Sequence, residues 1–322
     1  MNRRRPLLLA LAALGLAAAP ALGFAQTKTT RIVVAFPPGG PVDFVARALG
    51  EQLGRELQQT VVIENKPGGN GAVAASDVMR SAPDGTTLWI TSVGAAAINP
   101  SLYEKLAYDM QRDFAPVSLV VNNVELLVVN PANPAATAAE FVAASKTAKE
   151  PVAMASSGIG SIPHLAIEQL ADASGAKLLH VPYKGAAPAI TDVIGGQVGG
   201  FFGDIPGLIG HVKGGKLKAI GLASTRRHPA LPEVKTLAEQ GIAGVDTNNW
   251  YALFTSAKVP ATTVDAVNQA VRRALTNPAL REKLLATGAE PAPSSAPELA
   301  ALLKADSDKW GALIRAKKIK AE

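Results

Sequence analysis

Residues 31–57 read RIVVAFPPGGPVDFVARALGEQLGREL. The opening RIVVAF is a short apolar run rich in β-branched side chains, which predicts a buried strand over 31–36. Pro37-Pro38-Gly39-Gly40-Pro41 breaks it. From Asp43 onward Phe44, Val45, Ala48, Leu49, Leu53 and Leu57 recur at helical spacing, which predicts a helix over 43–57. The same grammar follows at once: a strand over 61–64, the breaker PGGNG at 67–71, a small-residue helix over 72–81, the turn Pro83-Asp84-Gly85 and a strand over 88–91. Strand, glycine loop and helix in alternation specify an α/β fold with a largely parallel sheet.

The alternation continues. Strands are predicted over 116–120, 125–129, 152–155, 177–181, 218–223 and 250–255, and helices over 137–147, 163–174, 187–194, 206–213, 260–276, 278–287 and 296–315. A chain of 322 residues is long enough for two cores, yet no linker separates them. The expected arrangement is a discontinuous first domain, 26–123 plus 250–322, and a second domain, 124–249, with the chain crossing at the apolar strands 124–129 and 250–255.

Residues 2–5 carry three arginines, 7–19 read LLLALAALGLAAA, and small residues follow, with Gly23 and Ala25 placed for cleavage after Ala25. This predicts a secretory signal peptide over 1–25, with a cut after Ala21 as the alternative. Thirteen apolar residues fall short of the ~20 that span a bilayer. The formal charge of +6 loses three arginines and no acids with that segment, leaving +3 over 297 residues. That balance lacks the basic footprint of a nucleic-acid binder. The absence of cysteine excludes a disulfide scaffold, a thiolate nucleophile and a Cys-ligated metal, and it suits an exported protein in an oxidising compartment. His164, His180, His211 and His228 match no metal-binding spacing. No cofactor is expected.

Several loops are candidates for binding. FPPGGPVD (36–43) lies between a strand and a helix, the edge of an α/β sheet where ligands sit. Gly39 and Gly40 allow close backbone approach, and the helix start behind them favours an anion. The alternative is a tight turn with Asp43 in the first helical turn. SSGIGS (156–161) before Pro163-His164 repeats the logic, with Ser157, Gly160 and Ser161 as a carboxylate cradle or Ser161 as a plain helix cap. Ser161 and His164 as nucleophile and base lack an evident third partner. In PYKGAAP (182–188), Tyr183, Lys184 and Gly185 follow a strand; Lys184 offers a point charge for a carboxylate, or a surface ion pair. In GFFGDIP (200–206), Asp204 stands before a helix as its possible cap.

AFPPGGPVDFVAR (35–47), VIENKPGGNGAVAASDVMRSAPDGTTL (62–88), GIGSIPHLAIEQL (158–170), HVPYKGAAPAITDVIGGQV (180–198) and GLASTRRHPALPEVKTLAEQG (221–241), in this order, resemble the tripartite tricarboxylate transporter substrate-binding proteins, the Bug family. The resemblance implies a two-domain α/β periplasmic-binding-protein-like fold of type II, with mostly parallel sheets flanked by helices and a ligand cleft between domains. It implies a non-enzymatic periplasmic receptor for a small carboxylic acid, a di- or tricarboxylate, an acidic amino acid or an aromatic acid. It also implies integral membrane permease subunits as partners, no nucleic acid, and a monomer. The expected ligand-binding residues are Phe36, Gly39, Gly40, Asp43, Ser157, Gly160, Ser161, His164, Tyr183, Lys184, Gly185 and Asp204. The chain departs from the common pattern at Val42, where relatives often carry a hydroxyl, and at Gly203-Asp204, which bears on the ligand's distal end. The alternatives are a receptor that signals to a membrane sensor and an exported hydrolase using Ser161 and His164.

Overall fold

The strand predicted at the start of the chain forms as β1, Thr29–Val34, in the computed structural model, which describes residues 28–321. The predicted signal peptide lies outside the described residues. Helix α1, Pro41–Leu57, begins two residues earlier than the apolar spacing indicates. Pro41 and Val42 supply its first turn, because proline's fixed φ suits a helix start where no amide bond is needed. Strands β2 (Thr60–Asn65) and β3 (Thr87–Ser92) flank β1, both parallel to it, and α2 (Ala72–Met79) connects them.

The sequence divides the next stretch into strands 116–120 and 125–129. The structure has one strand, β4, Phe114–Val129. Asn122 and Asn123, poor strand formers, suggest a break, but the ladder holds them, opposite Trp250 and Asn249 of β9 (Asn248–Ser256). The segment 93–113, unassigned from sequence, carries a wide helical turn at Gly94–Ile98, a further turn at Asn99–Leu102 and another at Met110–Asp113.

Beyond β4 come α3 (Ala138–Thr147), β5 (Val152–Ser156), α4 (Ile162–Ser174), β6 (Leu178–Pro182), α5 (Ala186–Ile194), β7 (Gly200–Asp204), α6 (Ile205–Lys213) and β8 (Lys218–Leu222). The strand order is β2-β1-β3-β9-β4-β7-β5-β6. Residues Phe114–Val124 of β4 pair antiparallel with β9, and residues Glu125–Val129 pair with β7 and β8. The sheet therefore has two halves that meet within β4. Parallel pairs β2-β1-β3 build one half and β6-β5-β7 the other.

Helices cover both faces. On the first half, Val45, Leu49 and Leu53 of α1 pack with Val264 and Val271 of α7 (Ala261–Thr276) and Leu284 of α8 (Pro278–Ala286). The opposite face holds Trp89, Trp250 and Phe254 beneath Leu299 and Trp310 of α9 (Ala296–Lys317). Ile162 and Leu165 of α4 also join that cluster, although the rest of α4 packs on the second half.

Trp89 is fully buried, with its ring 4.8 Å from Phe114, 5.8 Å from Tyr108 and 6.0 Å from Phe254. Its indole Nε1 has no hydrogen-bond partner. The side chain thus contributes through packing alone. Trp89→Ala is expected to cost about 3–5 kcal/mol, and Trp89→Phe markedly less, because no hydrogen bond is lost. Urea unfolding midpoints check the order; equal losses would contradict it.

Candidate functional site

At the junction of the halves, a cavity is lined by residues from both. Phe36, Pro37, Gly40, Pro41 and Val42 come from the β1–α1 loop and helix start, and Ser92 from the end of β3. Ser157 follows β5, Ala186 and Ala187 open α5, Asp204 ends β7, and Asn249 and Tyr251 lie on β9. Its volume is about 40 Å³, room for a few water molecules.

Three helices begin at this cavity, α1, α5 and α6, with Gly40, Gly185 and Asp204 at their N-caps. None has a side chain capping its first-turn amides. Elsewhere Thr137, Ser161, Asn277 and Ser295 cap α3, α4, α8 and α9 through their side-chain oxygens, while α2 and α7 also start without a side-chain cap. Uncapped N–H groups and the positive ends of helix dipoles make a cradle for an anion. The hydroxyl-bearing Ser92 and Ser157 stand in the same wall.

Of the residues expected to bind ligand, Phe36, Gly40, Ser157 and Asp204 line the cavity. The other eight do not, and several side chains are engaged elsewhere. Asp43 is buried, and its carboxylate accepts from the Gly39 N–H at 3.0 Å, Arg47 Nε at 2.9 Å and Asn65 Nδ2 at 2.9 Å. Burial opposes its charge, but these donors outweigh that and hold the carboxyl below its ordinary range. Asn65 Nδ2 also donates to the Phe36 carbonyl at 3.0 Å. Asp43 and Asn65 therefore shape the loop from behind.

Ser161 is the N-cap of α4; its hydroxyl donates to the Gly158 carbonyl at 2.7 Å and accepts from the His164 N–H. The His164 ring turns away from it: Nδ1 accepts from the Gly160 N–H at 3.1 Å, and the ring stacks on His180 at 3.7 Å. Burial first, and the His164 charge second, lower His180 to about 4. The Ser161–His164 pair considered for a hydrolase is thus not assembled as nucleophile and base. The Tyr183 hydroxyl donates to Asp192 at 2.6 Å, and Lys184 is exposed.

Glycines permit close approach between the halves. A Cβ on Gly185 would lie 3.0 Å from Pro37 Cδ, and one on Gly207 3.3 Å from Pro41. Gly160, at φ +73°, would bring a Cβ to 2.2 Å from Leu102 Cδ2. Gly160 and Gly185 belong to the expected set, and here their role is to seat one half on the other.

Sequence reasoning missed Glu125, Asn249 and Tyr251, which surround Asp204. Glu125 faces Asp204 across the β4–β7 register, and both are almost fully buried. Asn249 Nδ2 donates to both Asp204 oxygens, at 3.0 and 3.1 Å, and to Glu125 Oε1 at 3.3 Å; the Tyr251 hydroxyl donates to Asp204 Oδ2. Asp204 is the N-cap of α6 by position, but its side chain serves this network and not the helix amides. Burial raises both carboxyls; Asp204 is pushed up to about 6, and Glu125, which also feels the Asp204 charge, lies well above the carboxylate range.

The fold is that of an α/β solute-binding receptor, and the cavity lies where its two half-sheets meet. The chain belongs to the family described as the tripartite tricarboxylate transporter family receptor, whose model matches residues 45–319. It is 30% identical to the protein BugT of Bordetella pertussis over 306 residues, 95% of this chain and 94% of that one. Among solved structures it is similar to the periplasmic binding protein BugD, with a TM-score of 0.86 and 30% identity over 91% of this chain and 99% of that chain. It is also similar to MatC from Rhodopseudomonas palustris, solved with malate bound, at 0.83 and 31% over 89% and 98% respectively. These are solute receptors and not enzymes.

A carboxyl raised by folding stabilises the native state below its unfolded pKa, near 4, and loses that contribution as pH rises through about 6. Wild-type stability is therefore expected to fall from pH 5 to pH 7.5 more steeply than that of Asp204→Asn. Urea unfolding at both pH values checks this, and parallel slopes would contradict it.

Proposed function

We propose that the protein is a periplasmic receptor that captures a small carboxylic acid between two domains and delivers it to membrane permease subunits of the tripartite tricarboxylate type. The observation that carries this reading is the meeting of the uncapped starts of α1 and α5 at one cavity shared by both half-sheets. The first-turn amides of α1 and α5, with the Ser92 and Ser157 hydroxyls, hold the ligand carboxylate. Phe36 and Val42 cover its carbon chain. Gly39, and Asp43 through the Gly39 amide, keep the loop in the binding shape. Malate bound to MatC, a relative of the same fold, supports the ligand class.

The domains are 26–123 with 250–322, and 124–249, hinged where β4 and β9 run side by side. A cavity of about 40 Å³ is smaller than any dicarboxylate, so entry requires the halves to part and capture requires them to close. The three arginines ahead of an apolar run at the N-terminus direct export.

Calorimetry of the mature chain against mono-, di- and tricarboxylates tests the reading. At least one acid is expected to bind, and Ser157→Ala to weaken it about 3- to 10-fold, the worth of one hydrogen bond. Gly185→Ala, which crowds Pro37 and puts a side chain at φ +114°, is expected to lower both the affinity and the melting temperature. Failure of every acid to bind ligand-free, folded protein would overturn the reading. Solute uptake that does not change when the receptor is deleted would remove the transport role alone.

A further inference from the structure

The cavity has two chemically unlike walls. One presents donors, the amides of α1 and α5 and the serine hydroxyls. The other presents Asp204, Asn249 and Tyr251, with Glu125 behind them. Asn249 is 95% buried, as its exposure is 5%, and Tyr251 and Glu125 are fully buried. The donors of this wall are already committed. Asn249 Nδ2 is spent on the two carboxylates, and the Tyr251 hydroxyl is spent on Asp204. What remains open at the wall is acceptor capacity: Asn249 Oδ1 has no hydrogen-bond partner, and it stands beside the Asp204 carboxylate.

Two carboxyls this close and this buried do not both ionise freely, so the pair retains proton and negative charge together. No lysine or arginine among the described residues pairs with either one. A second ligand carboxylate placed here would meet like charge and an acceptor already short of donors. A group that donates hydrogen bonds would fill it.

We propose that Asp204, positioned by Glu125, Asn249 and Tyr251, selects carboxylate ligands that carry a hydrogen-bond donor at the end away from the bound carboxylate: an ammonium, amide or hydroxyl group in preference to a second carboxylate. The proposal rests on the carboxylate-receptor reading and sharpens its ligand class. The donor wall fixes one end of the ligand by backbone groups that any carboxylate satisfies. The acceptor wall then discriminates by side chains.

The test is calorimetry at pH 7.5 with acids matched in chain length: plain diacids such as succinate and glutarate, and the monoacids in which the far carboxylate is replaced by an ammonium, an amide or a hydroxyl group, such as 4-aminobutanoate, the half-amide of succinate and 4-hydroxybutanoate. Wild type is expected to bind at least one donor-bearing acid tenfold or more tighter than the diacid of equal length. Asp204→Asn is expected to cut an ammonium ligand's affinity at least tenfold while leaving the plain diacid's unchanged or raising it. Diacids that bind as tightly as all their donor-bearing counterparts would overturn the selectivity and leave the receptor reading standing. A uniform loss across all ligands in Asp204→Asn would reduce Asp204 to a structural role. If no acid binds, the receptor reading fails and the selectivity with it. Should Asp204→Asn not fold, the wild-type series decides alone, since it compares ligands on one protein.

Discussion

One strand belongs to both halves of this protein. β4 gives its first eleven residues to the ladder with β9 and its last five to β7 and β8. A strand cannot leave its partners without exposing unpaired backbone groups, so the two half-sheets are tied along a line they cannot abandon. Irregularities in the β4 ladders near Pro116/Ser118, Leu119/Val121 and Leu127/Val128 bend the strand as it passes between them. The changeover falls at Val124–Glu125, and Asp204 lies directly opposite Glu125. The starts of α1 and α5 and the N-cap of α6 line the cavity together with Asn249 and Tyr251 of β9.

The first half-sheet was legible because its determinants are local. RIVVAF, two prolines, two glycines and an amphipathic run occupy adjacent positions, and periodicity separates strand from helix without knowledge of the rest. The loops at the cavity were legible for the same reason. The choice of side chains within them was less so. Asp43, Ser161, His164 and Tyr183 are polar residues near a helix start or strand end, and sequence cannot show whether such a group turns outward or bonds to its own loop. Here Asp43 bonds back to Gly39, and Ser161 to Gly158. Glu125, Asn249 and Tyr251 were invisible for the opposite reason: they reach Asp204 from separations of 79, 45 and 47 positions through strand register alone. A lone glutamate inside the apolar run VELLVV was the one local sign that something unusual is buried there.

The backbone and side-chain groups around the cavity carry different sequence requirements. Backbone amides at a helix start tolerate many side chains, which suits a family in which relatives near 30% identity keep the fold. Side chains such as Asp204 are set one at a time. The acid pair is also unfavourable to folding at neutral pH, since burial disfavours the charged form. A protein that retains such a pair accepts lower stability at the wall of this cavity.

Ile162 and Leu165 sit at the start of a helix whose remainder packs on the second half-sheet, yet both are sealed into the core of the first. Any motion that parts the halves here wets both side chains, and each such burial is worth roughly 1.5–3 kcal/mol. The seam between the halves is therefore continuous apolar core, in which one helix contributes its first turn to one side and its remainder to the other.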